Sequence, residues 1–147
     1  MKYINSYLLF ESISYDFNVE DNSIAKQADD LAKKCGLYIS RDKELHAVAK
    51  EKNKVVGCVF INNAVNPFSF DFAVDEKFRK QGIGNELIKI ALVEYNQFEE
   101  AHGQESYIEV DVISDESKNL LLKNGFEIQS SNNKRYIMTK YKKEEND

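Results

Sequence analysis

The stretch "VDEKFRKQGIGNEL" (residues 74–87) decides how the rest of the chain is read. Gly82 and Gly84 stand one residue apart in a chain of only six glycines, with Arg79 and Lys80 just upstream. The aromatic run "FSFDFAV" before them reads as a strand. After them Ile83, Leu87, Ile88, Ala91, Leu92 and Tyr95 recur at helical spacing to about Glu100. Strand, glycine-bearing turn and helix together form an anion-binding layout. The first N–H groups of a helix have no partner within it, and the helix dipole places partial positive charge there. Glycine admits a phosphate close to the backbone, and the two cationic side chains add full charge. The competing reading is a turn whose glycines only relieve backbone strain. A Walker loop is excluded, because Asn85 and Glu86 stand where it needs lysine and Ser/Thr. A dinucleotide fingerprint has a wider glycine spacing.

Working outward, residues 8–15 are ambiguous between strand and helix and read best as a strand. A helix follows over residues 23–35, with Ile24, Ala28, Leu31 and Cys35 on one stripe. Asn22 or Ser23 is its expected cap and Gly36 its stop. Residues 45–50 and 55–62 read as a hairpin around a polar turn. Beyond the glycine turn come a strand in "SYIEVDVI", a short helix in "SDESKNLLLKNGF" and two last strands, "FEIQ" and "KRYIMTK", around "SSNNK". The order predicts an α/β (α+β) fold, a mixed, largely antiparallel sheet flanked by helices. One domain spans residues 1–140, and 141–147 form a frayed polar tail.

The 147 residues are 42% hydrophobic and 31% charged, as in an ordinary globular domain. No apolar run approaches bilayer length and the N-terminus lacks a signal-peptide layout, so no membrane partner and a cytoplasmic location are expected. A net charge of −5 argues against nucleic acid and suits a neutral or cationic partner. Cys35 and Cys58 read as small core residues rather than a disulfide. His46 and His102 are the only histidines and stand in no metal-ligand spacing, so no metal is implied.

The run Arg79-Lys80-Gln81-Gly82-Ile83-Gly84 matches the R/Q-x-x-G-x-G/A signature of the GNAT family of N-acetyltransferases. Farther on, "IEVDVISDESKNLLLKNGFEI" resembles the family's second half, a strand and a helix ending in Lys-x-Gly-Phe. The resemblance is good from about Phe68 to Thr139 and holds before that in element order only. It implies a coenzyme, acetyl-CoA, whose pyrophosphate lies on main-chain N–H groups of the turn, from Arg79, Lys80 or Gln81 through Gly82, Ile83, Gly84 and Asn85. Ser114, at the start of the second-motif helix, joins the coenzyme-binding set. The pantetheine arm would run along Phe72, Ala73 and Val74, where that strand and the one at residues 107–112 splay apart. A bulge in the earlier strand would aim the N–H of Ala73 or Val74 at the thioester oxygen.

For catalysis the resemblance places Glu109 where members acetylating ribosomal-protein N-termini carry a general base; the alternative is an outward-facing strand carboxylate. Asp111 shares its face. Asp71, in an aromatic strand, either has a partner or a task, or faces solvent. Three positions depart from the family. Ser114 replaces an asparagine, Phe68 stands where the histone-modifying branch has its glutamate, and Leu121 occupies the position of the tyrosine that protonates the leaving thiolate. So either the thiolate leaves without a side-chain acid, or Tyr107, Tyr136 or Tyr38 supplies the proton, or the domain binds acyl-CoA and catalyses poorly.

The implied function is acetyl transfer to an amine of a small molecule or protein, with Glu11, Asp16, Glu20 or Asp21 as acidic candidates near the acceptor cleft. The rival readings are a coenzyme-binding or protein-interaction module and a small nucleotide-binding domain. A homodimer stays open, since the edges of small sheets need covering.

Overall fold

The computed structural model describes residues 13–17, 19–103, 106–112, 114–132 and 135–141. Within these the chain runs β1 (Ile13–Phe17), α1 (Asn22–Lys34), β2 (Glu44–Glu51), β3 (Lys54–Asn62), β4 (Phe68–Val74), a 3-10 turn (Glu76–Phe78), α2 (Ile83–His102), β5 (Tyr107–Val112), α3 (Asp115–Lys123), β6 (Glu127–Asn132) and β7 (Arg135–Tyr141). The strand expected over residues 8–15 is described only from Ile13, and it runs on to Phe17. Glu11 and the tail beyond Tyr141 lie outside the described residues.

The strands form one sheet in the order β1-β2-β3-β4-β5-β7-β6. Every neighbouring pair is antiparallel except β4–β5. Residues of alternate parity face opposite sides, which gives the sheet two cores. Phe68, Phe70 and Phe72 of β4 and Ile108, Val110 and Val112 of β5 join Leu87, Ile88, Ala91, Tyr95 and Phe98 of α2 on one face. Ala73, with Val48, Val55, Cys58 and Phe60, joins Ala28, Leu31 and Ala32 of α1 on the other. Gly57 brings the first turn of α2 down onto β3, because a Cβ there would lie 2.9 Å from Ile83 Cγ2.

The cap of α1 differs from the expectation. Asp21 holds that place, its Oδ1 accepting from the N–H groups of Ser23 at 2.8 Å and Ile24 at 3.3 Å. Asn22 and Ser23 already lie within the helix. At the far end Gly36 adopts φ +83° and Leu37 N–H donates to Ala32 C=O, the hydrogen-bonded stop expected of a glycine there. The end of α3 repeats the device, with Gly125 at φ +88° and Phe126 N–H donating to Leu121 C=O. Among the described residues, no helix is long and apolar enough to cross a membrane.

Candidate functional site

β4 and β5 begin side by side and then part. Their parallel pairing joins Phe68 to Ile108, Ser69 to Glu109 and Phe70 to Val110, and stops there, although β4 runs on to Val74 and β5 to Val112. The β3–β4 register is unbroken from Asn62↔Ser69 to Gly57↔Val74, so β4 carries no bulge against β3. The irregularities lie between β2 and β3 and between β6 and β7 instead. Asp75 N–H donates to Val56 C=O at 2.8 Å. Antiparallel ladders alternate, so the main-chain groups of Ala73 and Asp71 face β3, and those of Phe72 and Val74 face the gap. With no bulge, Val74 rather than Ala73 directs its N–H there. The Val74 carbonyl is engaged by Arg79 Nε at 3.2 Å and approached by the Cys35 thiol at 3.7 Å.

The turn closes the top of this gap. Asp75 Oδ1 accepts from Lys77 N–H at 3.0 Å and sets the 3-10 turn. Lys80 and Gly82 then take positive φ angles of 64° and 86°. Gly82 is the N-cap of α2 and offers no side chain to it; the first helical bond runs from Glu86 N–H to Gly82 C=O. The N–H groups of Ile83, Gly84 and Asn85 therefore have no carbonyl four residues back to bond.

The two glycines serve different needs. A Cβ on Gly82 would meet nothing within 4 Å, so its requirement is the left-handed backbone. A Cβ on Gly84 would lie 2.7 Å from Leu120 Cδ2, so Gly84 lets α3 approach α2. Open access for a ligand, the reason expected for both, is not what Gly84 chiefly provides.

A cavity of about 460 Å³ occupies the gap and the mouth of the turn. Of the residues expected to bind coenzyme, Phe72, Ala73, Val74, Arg79, Lys80, Gly82, Gly84, Asn85 and Ser114 line it. Gln81 and Ile83 do not; Ile83 is buried in the α2-side core. Its remaining walls come from Cys35 and Leu37 beyond α1, from Asp111 and Val112, and from one face of α3 that includes Glu116, Leu120 and Lys123. Their spacing of three to four residues is helical, but nothing in the sequence says which side that face meets. Three cations (Arg79, Lys80, Lys123) and two carboxylates (Asp111, Glu116) share the lining. Arg79 Nη1 and Glu116 Oε2 stand 3.7 Å apart, both well exposed, which is too wet a pairing to neutralise the arginine.

The carboxylate candidates fall on the α1 side of the sheet. Glu109 is half-buried on β5 beside Ser69 and Thr139, sharing its face with Asp111; of these two carboxylates only Asp111 lines the cavity. Asp71 does not face solvent. It is 3% exposed, and Lys43 Nζ lies 2.8 Å from its Oδ2. Leu121 is fully buried among the core residues of α2 and Phe126, and its neighbour Leu120 reaches the cavity. Tyr107 is half-buried, Tyr38 is exposed, and Tyr136 lies opposite Val112 in register with its side chain outside the described set. Among the described residues no tyrosine lines the cavity. Of the acidic residues expected near the acceptor cleft, Asp16 pairs with Lys50, Asp21 caps α1, and neither they nor Glu20 line the cavity; Glu11 lies outside the described residues.

Both cysteines are free thiols. Cys58 is core, and burial pushes its thiol far above the usual range. Cys35 is half-buried in the cavity wall, with Arg79 Nη2 at 3.9 Å from its sulfur. No group of three or more potential metal ligands exists among the described residues.

A family model for the acetyltransferase (GNAT) domain matches residues 42–128, more than half of the chain. The chain belongs to the GNAT family. Solved GNAT-like structures carry the same fold. Ard1 from Thermoplasma volcanium superposes with a TM-score of 0.65 at 17% identity, over 88% of this chain and 97% of that one. The ribosomal-protein-S18-alanine N-acetyltransferase from Escherichia coli gives 0.62 at 12% identity, over 91% and 97%. The protein yncA from Salmonella typhimurium, solved with its cofactor acetyl-CoA, gives 0.61 at 11% identity, over 88% and 94%. Among curated proteins none matches the sequence. Within the GNAT fold the match spans every element from β2 to the start of β6, so the parted strands and the turn of α2 both lie inside it.

Proposed function

We propose that the protein transfers an acetyl group from acetyl-CoA directly to an amine, the acceptor being a small molecule or a protein N-terminus or side chain. The observation that carries this reading is the juxtaposition of an uncapped helix N-terminus with a parted strand pair in one cavity. The residues present suit the coenzyme. The N–H groups of Ile83, Gly84 and Asn85, with Arg79 and Lys80, supply donors and charge for a pyrophosphate. The Phe72 and Val74 main chain, facing away from β3, can pair with an amide-bearing arm as an added strand would. Bound there, the coenzyme supplies an activated acyl group on a thiol leaving group.

The chain's own residues then have two tasks. An N–H aimed at the thioester oxygen stabilises developing negative charge, an effect of about 3 kcal/mol in a dry site; of Ala73 and Val74, Val74 is the one whose N–H faces the gap. A carboxylate takes the proton that the amine must lose. Glu109 is our choice for this task, with Asp111 nearer the cavity as its neighbour on the same strand face. We read residues 1–140 as one such domain, in a cytoplasmic protein.

Thiol release on mixing with acetyl-CoA and a panel of amines tests the reading. Turnover that falls about a hundredfold in Glu109→Gln, with coenzyme affinity unchanged, supports Glu109 as base. An equal fall in Asp111→Asn alone would move the role there. A second reading, coenzyme binding with weak catalysis, is favoured by the burial of Leu121 and by the lack of a cavity-lining tyrosine among the described residues. Binding without thiol release for any amine would select it. Displacement of the coenzyme by ATP would point to a nucleotide domain instead.

A further inference from the structure

The side chain of Asn85 is oriented by another asparagine 39 residues away. Asn124, at the end of α3, donates through Nδ2 to the Leu120 carbonyl at 2.9 Å and to Asn85 Oδ1 at 3.0 Å. The chemistry of this chain of bonds fixes its direction. A backbone carbonyl only accepts, so the Asn124 atom beside it has to be the amide nitrogen. That nitrogen spends its second hydrogen on Asn85, so the Asn85 atom it meets has to be the oxygen. The Asn85 NH₂ then points away from Asn124. It has no hydrogen-bond partner among the described residues, and Asn85 lines the cavity at the N-terminus of α2.

We infer that Asn124 is a positioning residue. It holds the Asn85 amide with its donor, not its acceptor, turned to the cavity, where it meets an anionic phosphate oxygen beside the free N–H groups of α2. This rests on the coenzyme-binding reading above and adds to it a specific donor and the residue that orients it. Without Asn124 the amide can rotate and present either oxygen or nitrogen, and an oxygen facing a phosphate repels it. Asn124 itself touches no ligand in this scheme. Its effect passes through Asn85.

The test is calorimetric titration of coenzyme A into the full chain as wild type, Asn85→Ala, Asn124→Ala and the double variant, with melting curves on each. Each single variant is expected to weaken binding by about tenfold, the value of one hydrogen bond to a charged oxygen. In the Asn85→Ala background, Asn124→Ala should then cost nothing further. Equal losses in both backgrounds would show a structural role for Asn124 and overturn the inference, as would wild-type affinity in either folded single variant. Should Asn124→Ala fail to fold, the isosteric Asn124→Asp takes its place. Its added charge acts in both backgrounds, so only a larger loss with Asn85 present supports the inference, and equal losses overturn it. Wild type that binds no coenzyme A would sink the coenzyme reading itself, and it is distinguishable because that arm carries no substitution.

Discussion

Gly84 and Leu120 meet where α2 and α3 cross, so closely that a single methyl on the glycine would come within 2.7 Å of the leucine Cδ2. Leu120 also forms part of the cavity wall. The contact therefore couples helix packing to ligand space, and the methyl has somewhere to push.

Gly84→Ala should separate stability from binding. Alanine favours the helix by up to ~1 kcal/mol, and the clashing atom is the end of a flexible side chain that can swing away. Stability measured by urea unfolding should change by less than ~1 kcal/mol. Leu120 displaced toward the cavity should weaken coenzyme A binding by about tenfold (~1.4 kcal/mol), and adding Leu120→Val should restore it. Unchanged affinity in Gly84→Ala would show that Leu120 moves elsewhere.

The buried ion pair on the other face of β4 makes a prediction about stability alone. Lys43→Met removes the cation 2.8 Å from the Asp71 carboxylate, which is 3% exposed. Leaving such a charge without its ion-pair partner costs about 3 kcal/mol, while replacing both members with apolar groups costs far less. Lys43→Met should thus lower the unfolding midpoint strongly, and Lys43→Met/Asp71→Leu should recover most of it. A double variant as unstable as the single would show that Asp71 is held chiefly by other contacts.

Thiol labelling should distinguish the two cysteines. At pH 8, Cys58 is buried and its thiol is held protonated by desolvation, so almost no thiolate exists to react. Cys35 lies half-buried in the cavity wall. Mass spectrometry after alkylation of folded protein should find Cys35 modified and Cys58 intact, with acetyl-CoA slowing the modification of Cys35. Labelling of Cys35 at the same rate with saturating ligand would place the coenzyme away from this wall.

The start of α1 offers a local test. Asp21→Ala should cost about 1 kcal/mol through loss of the two N–H bonds its carboxylate accepts. Asn22→Ala and Ser23→Ala, inside the helix, should each stay within ~0.5 kcal/mol of wild type. Urea unfolding of the three variants decides between the caps.

Much of the chain was legible because its signals are local. The apolar spacing of α2, the stripe of α1, the glycine stops at Gly36 and Gly125 and the alternation in "YIEVDV" each depend on neighbours a few residues away. The cap of α1 lies one or two residues before its expected place because Asp21, Asn22 and Ser23 are all good caps, and only the backbone angles choose among them. Eight of the expected coenzyme positions, Phe72 to Val74 and five from Arg79 to Asn85, line the cavity for the same reason: turn and flanking strand are contiguous in sequence.

What the sequence determined by itself was the set of elements and the turn that joins β4 to α2, since propensity, periodicity and backbone freedom act at short range. Tertiary structure alone decided where β4 and β5 stop pairing, which face of α3 looks at the turn, that Lys43 reaches Asp71 across 28 residues, and that Asn124 reaches Asn85 across 39. Those relationships join segments far apart in the chain. They depend on strand twist, on packing at glycines such as Gly84, and on which polar group meets which, and none of these leaves a periodic trace in the residues themselves.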